Sequence, residues 1–254
     1  MMALIAAMAF STFAADNTIY IDQAGDNATV TINQDGAGNR VKGIVLSNPG
    51  QTNDPAKIHG DGLQVNISQI GAGNVLSMGV VSDTASGSSP TSINYSVTGG
   101  SNIGYINLNN AGVSGANSST NLSITQTGGN NTTNVDVLGT GNGITAIQSG
   151  GYATFSTVVN ADGTVQNITT SGGSANSVTT NLSGNTGNVS VSLLGGSNTV
   201  QATQSGGGAA GHSLIVDVNG SGNSVNTMQT GSIDTTINVK SVGSNNQFTL
   251  STKN

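Results

Sequence analysis

The chain has 254 residues, of which 38 are glycine, 6% are charged and 3% are aromatic, and its formal net charge is −6. It has no Glu and little Lys or Arg, so its composition disfavours helices and favours strands and turns. The absence of Cys excludes disulfides and thiolate metal sites, and the lack of a basic stripe argues against nucleic-acid binding.

Residues 1–15, MMALIAAMAFSTFAA, form an apolar run that differs from the rest of the chain. Small residues at the −3 and −1 positions predict signal-peptidase cleavage after Ala14, with Ala15 as a weaker choice. No basic residue precedes Arg40, which indicates a signal peptide truncated at its start. A short apolar strand or helix is the alternative. We therefore expect a secreted protein, extracellular or at the cell surface, whose structured domain covers residues 16–254.

One pattern recurs after the leader: apolar residues at alternate positions, then Gln, a Gly-rich turn and Asn. Its clearest copies are residues 19–27, 32–39, 65–74 and 122–131. Weaker copies keep the turn and end at Asn102, Asn142, Asn176, Asn198, Asn223 and Asn246. A second half-repeat, with Gln six residues after Asn, occupies residues 142–148, 198–204 and 223–229.

Stretches rich in Gly, Ser, Pro and Asn interrupt this spacing at 47–57, 83–92 and 110–120, and we interpret them as loop insertions between repeats. Alternation at period two predicts strands, because successive side chains of a strand point to opposite faces. A single unit has too few apolar residues to fold alone, whereas stacked units share a core. Intrinsic disorder, the alternative, does not explain the fixed offsets of Val and Ile from Gly-Asn.

The predicted fold is therefore all-β, a β-solenoid of eight or nine irregular strand–turn–strand rungs. Alternation predicts the inward-facing residues Ile19, Ile21, Ile32, Val65, Ile67, Leu122, Ile124, Val189, Val191, Val216, Val218, Ile237 and Val239.

Amide side chains at matched positions of stacked rungs can hydrogen-bond along the stack, and a buried amide without a partner is costly. We therefore expect ladders along the solenoid axis. The alternative is that these amides only solvate the turns, or cap them in the case of Asn. The ladder candidates are Gln23, Gln34, Gln69, Gln126, Gln148, Gln204 and Gln229, with Asn27, Asn39, Asn74, Asn131, Asn142, Asn198 and Asn223.

Residues 34–39 and 69–74 have the form Gln-x-Gly-x-Gly-Asn, and residues 126–131 read Gln-Thr-Gly-Gly-Asn-Asn. Together with the Gln that follows Asn by six residues, they resemble the curlin repeat of curli fibre subunits, in an irregular form. The resemblance implies a functional amyloid that stacks end to end, with a nucleator subunit and an outer-membrane secretion pore as partners. The insertions at 47–57 and 83–92 depart from the regular family repeat.

The sequence offers little for catalysis. His59 and His212, the two histidines, lie in different repeats, and no Gly-x-Ser-x-Gly motif or P-loop occurs. We expect no enzyme, cofactor or metal site. We expect instead a self-associating subunit of an extracellular fibre or biofilm matrix. The alternative is a surface adhesin or phage virion fibre protein, built on a β-solenoid that does not polymerise.

Overall fold

The computed structural model describes residues 4–8, 18–36, 38–42, 56–60, 62–71, 73–81, 91–99, 101–108, 117–118, 120–128, 130–140, 142–149, 152–162, 164–172, 175–183, 187–195, 197–205, 212–220, 222–231, 236–243 and 245–253. Within these ranges the regular secondary structure is entirely β, and no helix is present. The predicted all-β class is confirmed.

The strands, numbered in chain order, are β1 Leu4–Met8, β2 Ile19–Tyr20, β3 Asp22–Ala24, β4 Thr29–Asp35, β5 Val41–Lys42, β6 Ala56–His59, β7 Gln64–Ile70, β8 Leu76–Val81, β9 Ser92–Thr98, β10 Gly104–Leu108, β11 Asn117–Ser118, β12 Asn121–Thr127, β13 Thr132–Thr140, β14 Gly143–Ser149, β15 Tyr152–Asp162, β16 Thr164–Gly172, β17 Ala175–Ser183, β18 Gly187–Gly195, β19 Val200–Ser205, β20 Ser213–Asn219, β21 Val225–Thr230, β22 Thr236–Val242 and β23 Phe248–Lys253.

The strands alternate between two parallel sheets. Sheet A has ten strands in the order β1-β4-β7-β9-β12-β14-β16-β18-β20-β22. Sheet B has thirteen strands, with the main path β2-β5-β8-β10-β13-β15-β17-β19-β21-β23 and with β3, β6 and β11 beside it. Each strand therefore pairs with a strand of the same sheet that lies one circuit away along the chain. This topology is a stack of rungs, and it confirms the predicted β-solenoid.

We number the rungs by their sheet-A strands, so that β1 to β3 form rung 1, β4 to β6 form rung 2, and β22 with β23 form rung 10. Nine complete rungs follow β3, at the upper end of the predicted number. The first arc is the turn from sheet A to sheet B within a rung. The second arc leads from sheet B to sheet A of the next rung.

The core lies between the two sheets and consists of thin columns of side chains. Parallel pairing places Val30 beside Val65, and Val65 beside Ile93, on three successive rungs. Burial alternates along each strand, so that β7 buries Val65, Ile67 and Gln69 and turns the residues between them outward. Because inward residues are in register from rung to rung, each rung completes the core of its neighbours.

The predicted inward residues of the middle rungs are all buried, which confirms the inward assignment there. Ile19, Ile237 and Val239, by contrast, are only partly buried and pack against the edge of the core. They belong to the first and last rungs, where a neighbouring rung covers one side only. The fully buried group consists of Ile21, Ile32, Val65, Ile67, Leu122, Ile124, Val189, Val191, Val216 and Val218.

Strands extend into the predicted leader and into the edges of the predicted insertions. The predicted leader, residues 1–15, contains β1, which pairs in parallel with β4 from Leu4↔Thr29 to Met8↔Asn33. The predicted insertions extend too far, because Ala56 and Lys57 belong to β6, Ser92 to β9, and Asn117 and Ser118 to β11. These residues continue a sheet despite their polar, loop-like sequence. Residues 47–55, 83–90 and 110–116 lie outside the described residues.

Replacing Ile67 with Asp tests the inward assignment. Ile67 is buried, with Ile32 and Tyr95 in register on the adjacent rungs. An uncompensated buried charge costs about 3–5 kcal/mol, so Ile67→Asp should lower the melting temperature sharply. Ser68→Asp on the outward side of the same strand is the control and should melt close to the parent. Equal melting of the two variants in a circular dichroism scan would contradict the assignment.

Candidate functional site

The first arc carries a column of buried asparagines. Asn74 Nδ2 donates to Asn39 Oδ1 at 2.7 Å, and Asn102 Nδ2 donates to Asn74 Oδ1 at 2.6 Å. Asn131 Nδ2 continues the chain by donating to Asn102 Oδ1. Every donor lies on the C-terminal side of its acceptor. The four amides therefore form a directional hydrogen-bonded ladder across rungs 2 to 5.

The column is interrupted at rung 6 and then resumes. Strand pairing places Ala153 at this position, between Asn131 and Asn176, and alanine has no amide to offer. Among the described residues, Asn131 Oδ1 has no hydrogen-bond partner. Asn223 Nδ2 donates to Asn198 Oδ1 at 2.6 Å in the C-terminal rungs. A second gap lies between rungs 7 and 8, where Asn176 Nδ2 donates to Thr170 Oγ1 and where, among the described residues, Asn176 Oδ1 and Asn198 Nδ2 have no partner. The column therefore consists of two ladders, on rungs 2 to 5 and on rungs 8 and 9.

Glutamines form a second column on the inner side of sheet A. Gln69 Nε2 donates to Gln34 Oε1 and Gln148 Nε2 donates to Gln126 Oε1, both at 2.8 Å. The same Nε2 groups also donate across the first arc, for example from Gln148 to the Thr154 carbonyl at 3.0 Å. Each amide therefore links one rung to the next and also fastens its own arc.

Rung 4 lacks the glutamine, and Tyr95 takes its place. Strand pairing puts Val97 between Gln69 and Gln126 in this column. The Tyr95 hydroxyl donates to Gln69 Oε1 at 2.9 Å and also interacts with Gln126. A side chain at Gly104 would lie against the Tyr95 ring, so this glycine provides space for the phenol.

Burial raises the pKa of the Tyr95 phenol well above its usual value, and the Gln126 hydrogen bond opposes this shift. The group therefore stays protonated and keeps its role as a donor. Sequence reasoning missed Tyr95. The available signal was the joint appearance of a tyrosine two residues before the missing Gln and a glycine at an inward position of the next strand.

The other predicted glutamines belong to a different column. Gln204 and Gln229 lie on sheet B, where Gln229 Nε2 donates to Gln204 Oε1 at 2.7 Å. Gln23 also lies on sheet B, is buried, and donates to the Ala24 carbonyl at 3.2 Å. Grouping Gln148 with Gln204 and Gln229 was wrong, because Gln148 pairs with Gln126 on sheet A. Strands of both sheets end in the same Gln-Gly pattern, so spacing alone does not separate them.

Two predicted asparagines lie outside the asparagine column. Asn27 is exposed, with a φ of 54°, in the second arc that follows β3. Asn142 is buried in the second arc before β14, where its Oδ1 accepts a hydrogen bond from the Thr120 backbone N–H at 3.1 Å. Both act as turn residues, the alternative that the sequence left open for Asn.

A column of glycines runs beside the asparagines. Gly36, Gly71 and Gly99 all have positive φ, and the Gly71 N–H donates to the Thr98 carbonyl at 2.9 Å. A Cβ on Gly71 would collide with the carbonyl oxygen of Gly36 on the preceding rung. The arcs therefore stack closely enough to exclude any side chain at this position.

The described residues hold no group of three or more His or Asp side chains that could bind a metal ion. Among the same residues, no helix is long and apolar enough to cross a membrane. Comparison with protein-family models, with curated proteins and with solved structures gives no match to this chain. The resemblance to the curlin repeat thus rests on the Gln, Gly and Asn positions described above.

Replacing Gly71 with Ala tests the close approach of the arcs. The variant combines a positive φ with a collision against the Gly36 carbonyl, which should cost at least about 1–3 kcal/mol. Gly79→Ala in the same rung is the matched control, because its Cβ would meet nothing closer than the Ala56 carbonyl oxygen at 3.8 Å. Chemical denaturation measures both variants, and equal stability would refute the steric argument.

Replacing Ala153 with Asn should repair the interrupted column. The new amide lies in register between Asn131 and Asn176 and offers a donor to the unsatisfied Asn131 Oδ1. One net hydrogen bond contributes about 0.5–1.5 kcal/mol, so Ala153→Asn should raise the melting temperature. Ala146→Asn places the same amide in the apolar core of the same rung and should lower it. A destabilised Ala153→Asn variant would count against the ladder.

Proposed function

We propose that the chain is a secreted structural subunit that stacks end to end into an extracellular fibre, as curlin-like subunits do. The observation that carries this proposal is the exposure of core-side residues on β23, the last strand that the structure describes. Phe248 and Leu250 are 46% and 53% exposed, although they are in register with the buried Val225 and Thr227 of the preceding rung. Such an end fits a further rung of matching shape.

Both sheets also present strand edges at this rung. Among the described residues, β22 pairs with β20 alone and β23 with β21 alone. An unpaired edge is a template for another strand, and natural proteins usually block it with Pro, charge or a covering segment. Lys240 and Lys253 are the charges on these two strands, and the three prolines of the chain lie elsewhere.

The direction of the asparagine ladder favours head-to-tail stacking. Within each ladder the Nδ2 groups donate toward the N-terminal rungs, and in the last rung Asn246 Nδ2 donates to Ser241 Oγ, which in turn donates to Asn223 Oδ1. The two ends of the column therefore present different groups. Joining unlike ends continues the donor-to-acceptor order, whereas joining like ends reverses it. Contacts between unlike surfaces that do not close into a ring generate open filaments.

Charge does not oppose the same arrangement, because only 6% of the residues are charged. In the last rung Lys240 lies 3.7 Å from Asp217 of the preceding rung, which offsets its charge. By the same resemblance we propose a nucleator subunit and an outer-membrane pore as partners, and residues 1–15 as the leader for export.

The proposal predicts filaments and assigns their growth to the end rung. The purified chain should form filaments in electron micrographs, with diffraction near ~4.7 and ~10 Å. Leu250→Asp should weaken end-to-end association about tenfold or more, because burying a leucine contributes ~1.5–3 kcal/mol and about 1.4 kcal/mol is tenfold in affinity. Ser251→Asp on the outward side of β23 is the control and should assemble like the parent.

Stable monomers at high concentration, without filaments even after seeding, would overturn the proposal. That result would favour the adhesin or virion fibre alternative. Filaments that grow equally well from Leu250→Asp would show that assembly does not use this end.

A further inference from the structure

From rung 3 to rung 9, the outward side of sheet A is nearly free of charge. We define the sheet-A face as the outward side chains of β7, β9, β12, β14, β16, β18 and β20. The first six of these strands contain no charged residue, and β20 contains Asp217, which pairs with Lys240 at 3.7 Å. On the same rungs the outer side of sheet B carries Asp136 on β13, which forms no ion pair with any other described residue.

The sheet-A face combines small polar side chains with exposed aliphatic ones. Asn94 Nδ2 donates to Asn66 Oδ1 at 2.9 Å on the surface, so part of the face is already ordered by an external amide pair. Between the Ser, Thr and Asn side chains stand five large aliphatic residues that are each more than two-fifths exposed: Ile70, Ile147, Val165, Leu194 and Ile215. From rung 6 to rung 9, every rung contributes one of them.

We propose that the sheet-A face packs against the sheet-A face of a second copy of this chain, side by side. This surface is different from the rung ends and goes beyond the end-to-end proposal. Mated sheets with short, uncharged side chains form dry, interdigitated interfaces. A face that pairs with itself about a two-fold axis needs only to be self-complementary. Six of the seven strands of this face carry no charge that could repel the same face of a second copy.

The size of the face matches what a stable dimer needs. Seven rungs spaced ~4.8 Å apart span about 34 Å, and seven-residue strands span about 23 Å. The product is about 800 Å², which is the area that each partner of a standard protein interface buries, ~800 Å². Docking of the sheet-A face on sheet B would bury Asp136 without a basic partner on the sheet-A face, which is costly. When two copies pair through their sheet-A faces, Asp136 stays outside the interface and this cost does not arise.

The test separates side-by-side pairing from end-to-end growth. In the Leu250→Asp background, which blocks the end rung, sedimentation should show a dimer. Ile147→Lys places a charge on the sheet-A face at a residue 46% exposed and should weaken the dimer at least about tenfold, since it removes buried aliphatic area and adds a desolvated charge. Val158→Lys is the matched control, because Val158 is 50% exposed on sheet B of the same rung. It should leave the dimer intact.

Thr169→Lys, also outward on the sheet-A face, is a second variant in case Ile147→Lys fails to keep the parent's circular dichroism spectrum. Paired filaments in the parent and single filaments in Thr169→Lys would support the proposal. A Leu250→Asp chain that remains monomeric at all concentrations overturns it. A dimer that is equally weakened by Ile147→Lys and Val158→Lys also overturns it. If the parent chain forms the dimer but no filaments, only the end-to-end proposal is contradicted.

Discussion

A primary amide buried between two apolar sheets must find hydrogen-bond partners inside the protein, and here many of these partners lie one rung away. This requirement fixes the register of the stack. A slip of two residues would still place aliphatic side chains inside, because Val65 and Ile67 alternate like Val30 and Ile32. The same slip would separate Gln69 from Gln34. The amides therefore specify which residues pair, while the aliphatic columns supply most of the apolar burial.

The core tolerates relocation of an amide as long as a partner is available. In rung 4 a tyrosine hydroxyl replaces the amide, and a glycine on the facing sheet provides the space. In rung 7 the buried Gln166 lies in a different column, where its Oε1 accepts a hydrogen bond from Thr157 Oγ1 at 2.9 Å. From there the glutamine pair appears on sheet B rather than on sheet A. The buried polar side chains thus occupy different columns at different rungs, whereas the arcs stay stacked along the whole solenoid.

Interior and exterior have separate consequences for assembly. The inner columns are directional and end in an uncovered rung, so they concern growth along the axis. The outer surfaces are set by residues that the core does not constrain, and those of sheet A are almost free of charge. The stability of the stack therefore does not constrain the outward residues. These residues instead set the surface that the stack offers to a neighbouring molecule.

Much of this architecture could be predicted from the sequence, because its signals are local. Period-two alternation indicates strands and identifies inward residues such as Ile67 and Val191, and recurrent Gly-Asn indicates the turns. The sequence did not reveal that Asn27 and Asn142 belong to one arc and Asn39 to the other. It also did not show that Tyr95 substitutes for a glutamine. Both depend on which strand lies one rung away, at separations of 22 to 35 residues. Parallel pairing over such distances depends on the packing of the whole stack, and the local sequence pattern does not encode it.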